Sequence, residues 1–458
     1  MTGHTTSTAL TADFALPKTV GAFHLVCLGI GATIGAGIFV LTGTAAAQHA
    51  GPGLTLSFVL GGIACGLVAL CYAELAAAIP ASGSTYSYAR ATLGPLCAWI
   101  VGWDLVLEFA MAAATVAVGW SGYVQSLLGD FGLRLPPALA SAEGKGGLLN
   151  LPAALMILAL TILLIRGTKE STGVNAVLVV LKVAIILAFV GIGAWHVNVA
   201  LWSPYVPANT GTFGEFGWSG VLRGAGVVFF AFVGFETVST AAAETRDPQR
   251  DAPIGLIGSV AISTLLYVAV AAVLTGLVSY SSLNVADPMA KATDAIGIGG
   301  FSLLIKVGAI LGLTTSVLTA LYGQGRILYA MARDRMLPPV FGQVHSRFRT
   351  PAKGQALVGG LTAVVAAFTP IDVLGELVSI GTLLAFVVVC IAVMVLRRAG
   401  GPRPFRAPGG AATPMLGIIA CLALMAGLPL ETWARLGLWL GLGLAIYAVY
   451  GRRRPAVA

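Results

Sequence analysis

Charged side chains are scarce in this sequence. They make up 10% of its 458 residues, whereas ordinary soluble domains carry about 25%. Hydrophobic residues reach 57%. Such a composition excludes a water-soluble globular protein, because too few polar side chains are present to cover its surface. The polar segments between the apolar runs are short, so we expect no soluble domain.

Patterns typical of enzymes and metalloproteins are also missing. The six cysteines all lie inside apolar runs without C-x-x-C spacing, which argues against a disulfide framework or a structural metal. The five histidines are scattered singly, and neither H-E-x-x-H nor G-x-S-x-G occurs. We therefore expect no enzyme activity, no catalytic residues, no metal and no cofactor.

Long apolar runs dominate what is present. Twelve runs are about 20 residues long, enough to cross roughly 30 Å of hydrocarbon as a helix. The N-terminus lacks the apolar core and small-residue cleavage site of a secretory signal peptide, so we expect the first run to remain as a span. The predicted spans 1 to 12 are 23–47, 52–79, 94–126, 150–166, 172–195, 219–243, 253–280, 300–325, 354–371, 373–396, 413–429 and 434–451.

The basic residues predict the orientation of these spans. With both termini on one side of the membrane, 19 of the 26 lysines and arginines fall on that side and 5 on the other, while Lys182 and Lys306 lie within spans. Cytoplasmic loops carry the excess of basic residues, so both termini are predicted in the cytoplasm and the chain in the inner membrane. The net charge of +8 is thereby explained without nucleic acid as a partner.

Four glycines interrupt the first span in 29-GIGATIGAGIF-39. Each weakens a helix interior by about 1 kcal/mol relative to alanine. The G-x-G-x-x-x-G spacing, and the lack of an acidic residue before Glu74, exclude a dinucleotide-binding loop. Two interpretations stay open at this point: a helix-packing face formed by the G-x-x-x-G pair Gly31 and Gly35, or a break in the helix.

The sixth span has similar interruptions and favours a break. In 224-GAGVVFFAFVGFETVSTAAAE-244, a Gly-x-Gly pair and Gly234 interrupt an aromatic-rich run. Discontinuous spans at corresponding positions of two halves are typical of transporters built from repeats. Because each half has an odd number of spans, five, the second half enters the membrane from the opposite side, and the repeat is inverted. The predicted organisation is a cytoplasmic segment 1–22, five-helix repeats 23–195 and 219–397, two peripheral helices in 413–451 and a cytoplasmic tail 452–458.

The two breaks predict a binding site near the membrane midplane. Unwinding of Thr33 to Gly37 and of Phe232 to Gly234 leaves backbone N–H and C=O groups unpaired, at several kcal/mol each. A ligand with a carboxylate and an ammonium satisfies both kinds of group. Its carboxylate binds N–H groups at the start of a half-helix, and its ammonium binds freed carbonyls. We therefore expect an amino acid as the ligand.

Lys182 is one of the few ionisable residues inside a span, where a charge indicates function. It lies roughly 13 Å into the fifth span at 1.5 Å per residue, deeper than a lysine stem reaches comfortably. A lysine in such a place can gain and lose a proton during transport. The alternative is a structural lysine that caps backbone carbonyls.

Three acidic residues and a second lysine also lie in predicted spans. Glu108 lies mid-span in 102-GWDLVLEFAMAA-113, one turn after Asp104 on the same face. It is predicted to relay protons or to pair with the substrate ammonium, unless it is a hydrogen-bonding strut. Glu236 follows the sixth-span break and is expected either to hold the break open or to relay a proton. Lys306, near the outer end of the eighth span, is expected to snorkel.

Four stretches resemble the cationic amino acid transporter subfamily of the amino acid/polyamine/organocation superfamily. The resemblance covers nearly the whole chain, and the first-span and sixth-span motifs together are highly specific. It implies an all-α integral membrane protein of the leucine-transporter type, with discontinuous helices 1 and 6 and alternating access around a midplane site. The four stretches are 27-CLGIGATIGAGIFVLTG-43, 102-GWDLVLEF-109, 229-FFAFVGFETVSTAAAETRDPQRDAPIGLI-257 and 403-RPFRAPGG-410.

The resemblance also implies roles for individual residues. Family members without sodium dependence often carry a fifth-helix lysine where sodium-coupled relatives bind the ion, and Lys182 matches that position. Glu108 matches a third-helix acid of the bacterial members. Relatives commonly read GFD where this chain has Gly234-Phe235-Glu236, so its carboxylate is longer by one methylene. Substrate contacts are implied for Thr33, Ile34, Gly35, Ala36, Gly37, Phe230, Ala231 and Val233.

The predicted function is a proton-coupled symporter of L-amino acids in the bilayer of the cytoplasmic membrane. Animal members usually have fourteen spans, so twelve indicate the prokaryotic type, for which a cationic substrate does not follow from the subfamily name. Small neutral substrates are slightly favoured, because only Glu108 and Glu236 are expected near the pocket. The alternatives are an exchanger or facilitator without net proton coupling, including one for cationic amino acids, and a sensor without flux. The sequence leaves open whether a small membrane subunit is a partner.

Overall fold

The computed structural model describes residues 20–79, 84–143, 146–167, 172–241, 245–400 and 403–450. Most of segment 1–22 and all of tail 452–458 lie outside these ranges. In the described ranges the regular structure is helical, apart from one parallel bridge between Val20 and Thr245. The α-helices are α1 Ala22–Thr33, α2 Thr42–Ala45, α3 Leu54–Ala78, α4 Ser84–Leu93, α5 Pro95–Asp130, α6 Pro137–Ala140, α7 Leu151–Arg166, α8 Thr172–Ala194, α9 Gly217–Val228, α10 Thr237–Thr240, α11 Pro248–Leu277, α12 Pro288–Ile296, α13 Phe301–Arg333, α14 Ala352–Phe368, α15 Ile371–Ala399, α16 Ala412–Ala426 and α17 Leu430–Val449.

Among the described residues, eight helical segments are long and apolar enough to cross a membrane, and four shorter helices are apolar as well. Each predicted span falls on one or more of these twelve. Short stretches of other helical geometry continue several of them. These are the π-helical turns Gly37–Leu41 and Ala46–Ala50 and the 3₁₀ turns Gly51–Gly53, Val199–Trp202, Phe229–Phe232, Tyr280–Ser282 and Pro339–Phe341.

Local sequence signals set several helix starts. Pro95 and Pro248 occupy the first turn of α5 and α11, where a missing N–H costs nothing. The side chain of Asn150 accepts the N–H of Ala153 at 3.2 Å and caps α7. Two helices are longer than their apolar runs: α11 begins five residues before the predicted span at 253, and α13 continues to Arg333, eight residues past 325. Polar residues extend both helices, so hydropathy alone placed the start of α11 too late and the end of α13 too early.

The spans differ in how deeply they are buried. In the most apolar window of Ile371–Ala399, 72% of residues are buried inside the protein, against 17% in Leu430–Val449. The segments Pro95–Asp130 and Gly217–Thr240 are 67% buried. Spans 3, 6 and 10 therefore form the centre of the bundle, and α17 lies at its edge. Large apolar side chains point outward where lipid surrounds the protein, such as Leu265, Val180 and Leu438.

Charged contacts join the helix ends at one end of the bundle, which we call the basic face. Glu74, at the end of α3, accepts hydrogen bonds from Arg397 on α15 at 2.6 and 2.9 Å. Arg90 on α4 pairs with Asp334 after α13, and the Asp334 carboxylate contributes to raising the pKa of Arg90. These four residues lie at or just after the C-terminal ends of their helices, so α3, α4, α13 and α15 all end at this face.

The opposite face is held by a different set of contacts. Lys306 Nζ on α13 lies 2.7 and 2.8 Å from the carboxylate oxygens of Asp130, at the end of α5. The lysine is only 2% exposed. Lys306 was expected to snorkel; its ammonium instead ends on Asp130, whose side chain is 43% exposed, rather than in open solvent. On the same face, His49 Nδ1 lies 2.9 Å from the carbonyl oxygen of Gly214, joining the end of span 1 to the loop before α9.

Candidate substrate and coupling site

The first span is interrupted between α1 and the π-helical turn Gly37–Leu41. The N–H of Ile34 still donates to the carbonyl of Ile30 at 3.0 Å, but Ile34 itself is extended, with φ −72° and ψ 105°. Helical structure resumes when Ile38 and Phe39 donate to the carbonyl of Gly35, both at 3.3 Å. The extended geometry turns the Ile34 carbonyl away from the helix axis, where side chains can bind it.

Lys182 binds that carbonyl. Its ammonium lies 3.2 Å from the Ile34 oxygen and 3.0 Å from the hydroxyl oxygen of Ser316, which in turn lies 3.3 Å from the Ile34 oxygen. The lysine is only 3% exposed. Gly312 makes room for its stem, since a Cβ atom there would lie 3.0 Å from Lys182 Cγ. Lys182 thus connects α8, α13 and the break in span 1, which is the carbonyl-capping geometry.

The sixth span is interrupted between α9 and α10. After the 3₁₀ turn Phe229–Phe232, Val233 is extended and Gly234 has a φ of +118°, a conformation that side chains rarely allow. The carboxylate oxygens of Glu236 lie 2.9 and 3.1 Å from the N–H of Gly234. Helical structure resumes at Thr237. Glu236 thus accepts a backbone N–H group of the break, a contact compatible with either of the two roles predicted for it.

The two breaks touch each other through glycine. A Cβ atom at Gly37 would lie 2.3 Å from Cα of Ala231, and one at Gly234 would lie 2.6 Å from the carbonyl oxygen of Ala32. The predicted substrate residues from both spans are thus brought to one place. All eight of these residues are buried or half-buried: Thr33, Ile34, Gly35, Ala36, Gly37, Phe230, Ala231 and Val233.

The remaining glycines of the opening motif have another use. A Cβ at Gly29 would lie 2.5 Å from Ser259 Cβ on α11, and one at Gly31 would lie 2.4 Å from Val179 on α8. Close helix approach at small residues is how spans pack in lipid. The packing interpretation is therefore correct for Gly29 and Gly31, and the break interpretation for Gly37. Gly35 has space, since its nearest neighbour would be Ser316 at 3.5 Å.

Glu108 lies away from Lys182, between spans 3 and 10. It is 2% exposed, and its Oε2 atom has no hydrogen-bond partner among the described residues. Asp104, one turn earlier, is 1% exposed with both oxygens unpartnered in the same part of the chain. The electrostatic neighbours of Glu108 include Glu236, so the acid is near the sixth-span break. A structural strut is expected to form hydrogen bonds, and the Oε2 atom of Glu108 forms none among the described residues.

Sequence reasoning missed Ser316, the acceptor that shares Lys182 with the break. It lies in the unremarkable run 312-GLTTSVLTAL-321, where several hydroxyl residues occur and no motif singles one out. Within the described residues, no group of three or more histidines, cysteines, aspartates or glutamates is placed to hold a metal ion. The groups assembled here are backbone carbonyls and N–H groups, one ammonium and three carboxyls. Their chemistry suits binding and proton transfer.

A protein-family model described as amino acid permease matches residues 20–433, most of the chain. The chain belongs to this family. The permease is therefore a multi-pass membrane transporter of amino acids or related solutes and not an enzyme, and its predicted place in the amino acid/polyamine/organocation superfamily is confirmed.

Curated relatives match the permease along most of its length. The methylthioribose transporter of Bacillus subtilis (strain 168) is 45% identical over 452 residues, covering 98% of this chain and 96% of that protein. The branched-chain amino acid permease BcaP of the same organism is 44% identical, covering 97% and 95%. Cationic amino acid transporter 4, vacuolar, of Arabidopsis thaliana is 40% identical, covering 83% and 64%. Sequence similarity thus spans proteins named for different solutes.

Proposed function

We propose that the permease is a secondary active transporter that carries L-amino acids across the cytoplasmic membrane by proton-coupled symport. The observation that carries this proposal is the contact between the two broken spans at Gly37 and Gly234. Repeats 23–195 and 219–397 form a leucine-transporter-type inverted pair, with 413–451 as two peripheral helices. Both termini lie in the cytoplasm, so the basic face is the cytoplasmic side.

The substrate backbone binds to the main chain of the two breaks. Its carboxylate takes N–H groups at Ala36 and Gly37, where the second half of span 1 begins and a helix N-terminus carries partial positive charge. Its ammonium takes carbonyl oxygens at Phe230 and Ala231, at the C-terminal end of the 3₁₀ turn. Main-chain recognition leaves the substrate side chain to be selected by the surrounding walls.

Neutral side chains fit these walls better than cationic ones. Glu236 already accepts the N–H of Gly234 with both oxygens, and Phe230, Ala231 and Val233 offer no charge. Glu108 is the remaining carboxyl near the breaks. A cationic side chain without a carboxylate partner would be buried at high cost. We therefore expect small neutral amino acids, including branched-chain ones, to be preferred over arginine and lysine.

Lys182 couples transport to the proton. Its protonated ammonium donates to Ile34 and Ser316 and so fixes the shape of the span 1 break. Loss of one proton removes the positive charge that strengthens both hydrogen bonds, which loosens that break. Substrate binding and proton binding then favour the same arrangement of the half-helices, and a proton gradient drives accumulation.

Uptake into proteoliposomes tests this function. Radiolabelled alanine, leucine and arginine are supplied outside with an inward proton gradient, and the wild type is compared with Lys182→Met, which keeps the stem and removes the ammonium. Lys291→Ala, a lysine variant on α12 outside the site, is the matched control. Gradient-driven accumulation of alanine or leucine, lost only in Lys182→Met, supports the proposal. Flux that ignores the gradient but needs preloaded substrate would assign an exchanger instead.

A further inference from the structure

Asp104 and Glu108 are buried acids, and three of their four carboxyl oxygens have no hydrogen-bond partner among the described residues. They lie one turn apart on α5, at 1% and 2% exposure. Among the described residues, Asp104 Oδ1 and Oδ2 and Glu108 Oε2 have no hydrogen-bond partner, and neither residue forms a salt bridge. An ionised carboxylate buried in this way costs several kcal/mol. These carboxyls are therefore stable in this conformation only when they carry a proton.

Two other buried acids, Glu74 and Glu376, each have several hydrogen-bond donors. Glu74 accepts from Arg397, Arg403 and the N–H of Ala407. Glu376 accepts from Arg223 at 3.0 Å and from Thr432 at 2.6 Å. The same fold thus pairs its acids where a permanent charge is needed. The orphaned oxygens of Asp104 and Glu108 are therefore specific to this part of the bundle.

Helix α15 packs against the acid pair. Gly381 on α15 lies directly against Asp104, since a Cβ there would be 3.1 Å from Oδ1. The next residue, Thr382, places its hydroxyl group beside the Glu108 carboxyl. The pair therefore faces a packed helix surface that offers it a hydroxyl and no charge.

The titratable neighbours of the pair come from two other spans. Glu236 approaches Glu108 from span 6, and Tyr72 on α3 has both Glu108 and Glu236 as electrostatic neighbours. The hydroxyl oxygen of Tyr72 lies 2.6 Å from that of Thr85 on α4, the short helix at the basic face. Tyr72 and Thr85 thus place two further hydroxyl groups between α3 and α4, toward that face.

We propose that Asp104 and Glu108 together form a second proton site of the permease, distinct from Lys182. This inference rests on the proposed proton-coupled function. The pair holds its proton while α5 and α15 are packed together. When these helices separate and water enters, an O–H bond of one carboxyl breaks, its proton passes to water, and a solvated carboxylate remains.

The test compares gradient-driven accumulation with counterflow of leucine in proteoliposomes for Asp104→Asn, Glu108→Gln and the double variant. Asp294→Asn, an exposed acid on α12, is the matched control. We expect Asp104→Asn to lose accumulation while counterflow falls less. Because the two carboxyls form one site, the double variant is expected to lose no more than either single variant.

The outcomes of this test separate the two proposals. If the wild type ignores the proton gradient, the proposed coupling fails, and this inference fails with it. If the wild type and Lys182→Met behave as proposed but Asp104→Asn accumulates leucine like the wild type, only the acid-pair site is overturned. If Asp104→Asn does not fold, Asp104→Leu replaces it, since a leucine of similar size removes the proton and leaves no buried polar group.

Discussion

The ammonium of Lys182 lies 3.0 Å from the Ser316 hydroxyl oxygen, and both groups lie within hydrogen-bond distance of the Ile34 carbonyl oxygen. Three elements far apart in sequence thereby meet at one carbonyl. A charged donor buried at this depth needs each of its acceptors. The ammonium is therefore held by two acceptors, one main-chain oxygen and one side-chain oxygen.

Replacing Ser316 by alanine is expected to weaken transport without abolishing it. The lysine keeps the Ile34 carbonyl but loses its second acceptor, at a cost of about 1–3 kcal/mol. Initial uptake rates against substrate concentration measure the effect. Thr314→Ala, on the same helix, removes a hydroxyl that bonds only its own helix at the carbonyl of Ile310. Equal losses in both variants would contradict a special role for Ser316.

Adding a methyl group at the contact between the breaks is expected to stop transport. Gly37→Ala would place Cβ 2.3 Å from the Ala231 backbone, which cannot move aside as a side chain can. Overpacking of this kind costs about 1–3 kcal/mol even in tolerant cores. Gly191→Ala on α8 is the control, because a Cβ there meets nothing within 4 Å. Normal leucine uptake by Gly37→Ala would show that the breaks separate easily.

Variants of Glu236 distinguish support of the break from proton relay. Glu236→Gln keeps an oxygen acceptor for the N–H of Gly234 but cannot exchange a carboxyl proton. If the residue only supports the break, this variant retains most of its gradient-driven uptake, whereas Glu236→Ala loses it. The lost bond to Gly234 costs about 1 kcal/mol or more. Loss of gradient response in Glu236→Gln, with intact counterflow, would instead assign a relay.

The packing of α17 against α5 predicts a stability effect. The indole N–H groups of Trp103 and Trp439 donate to each other's carbonyls at 2.9 and 3.0 Å, and their rings stack 4.5 Å apart. Trp439→Phe removes one of these bonds, while the Trp103 carbonyl keeps its bond within α5, so the expected loss is about 0.5–1.5 kcal/mol. Thermal unfolding in detergent should begin earlier. Trp218→Phe, an exposed control, should unfold like the wild type, and equal midpoints for both variants would refute the prediction.

Hydropathy and glycine spacing predicted a large part of this architecture. Apolar runs located the eight long apolar helical segments and the four shorter apolar helices of the described residues, since a bilayer demands about 20 apolar residues per helix. The rise per residue placed Lys182 too deep to reach the surface. These features depend on neighbours within one segment, which a sequence displays directly.

Partners from distant segments could not be predicted in the same way. Ser316 lies 134 residues after Lys182, and Asp130 lies 176 residues before Lys306. Which residues of two helices face each other depends on their relative rotation and height, and a single sequence records neither. The acidic partner of Lys306 was missed for this reason, and the orphaned oxygens of Asp104 were invisible for the same reason.

The contact between the broken spans has a mechanical consequence. At Gly37 and Ala231, and again at Gly234 and Ala32, main chain meets main chain with no flexible side chain between to absorb a displacement. A tilt of either interrupted span must push the other. We therefore expect the two interrupted spans to move together, so that neither tilts while the other stays in place.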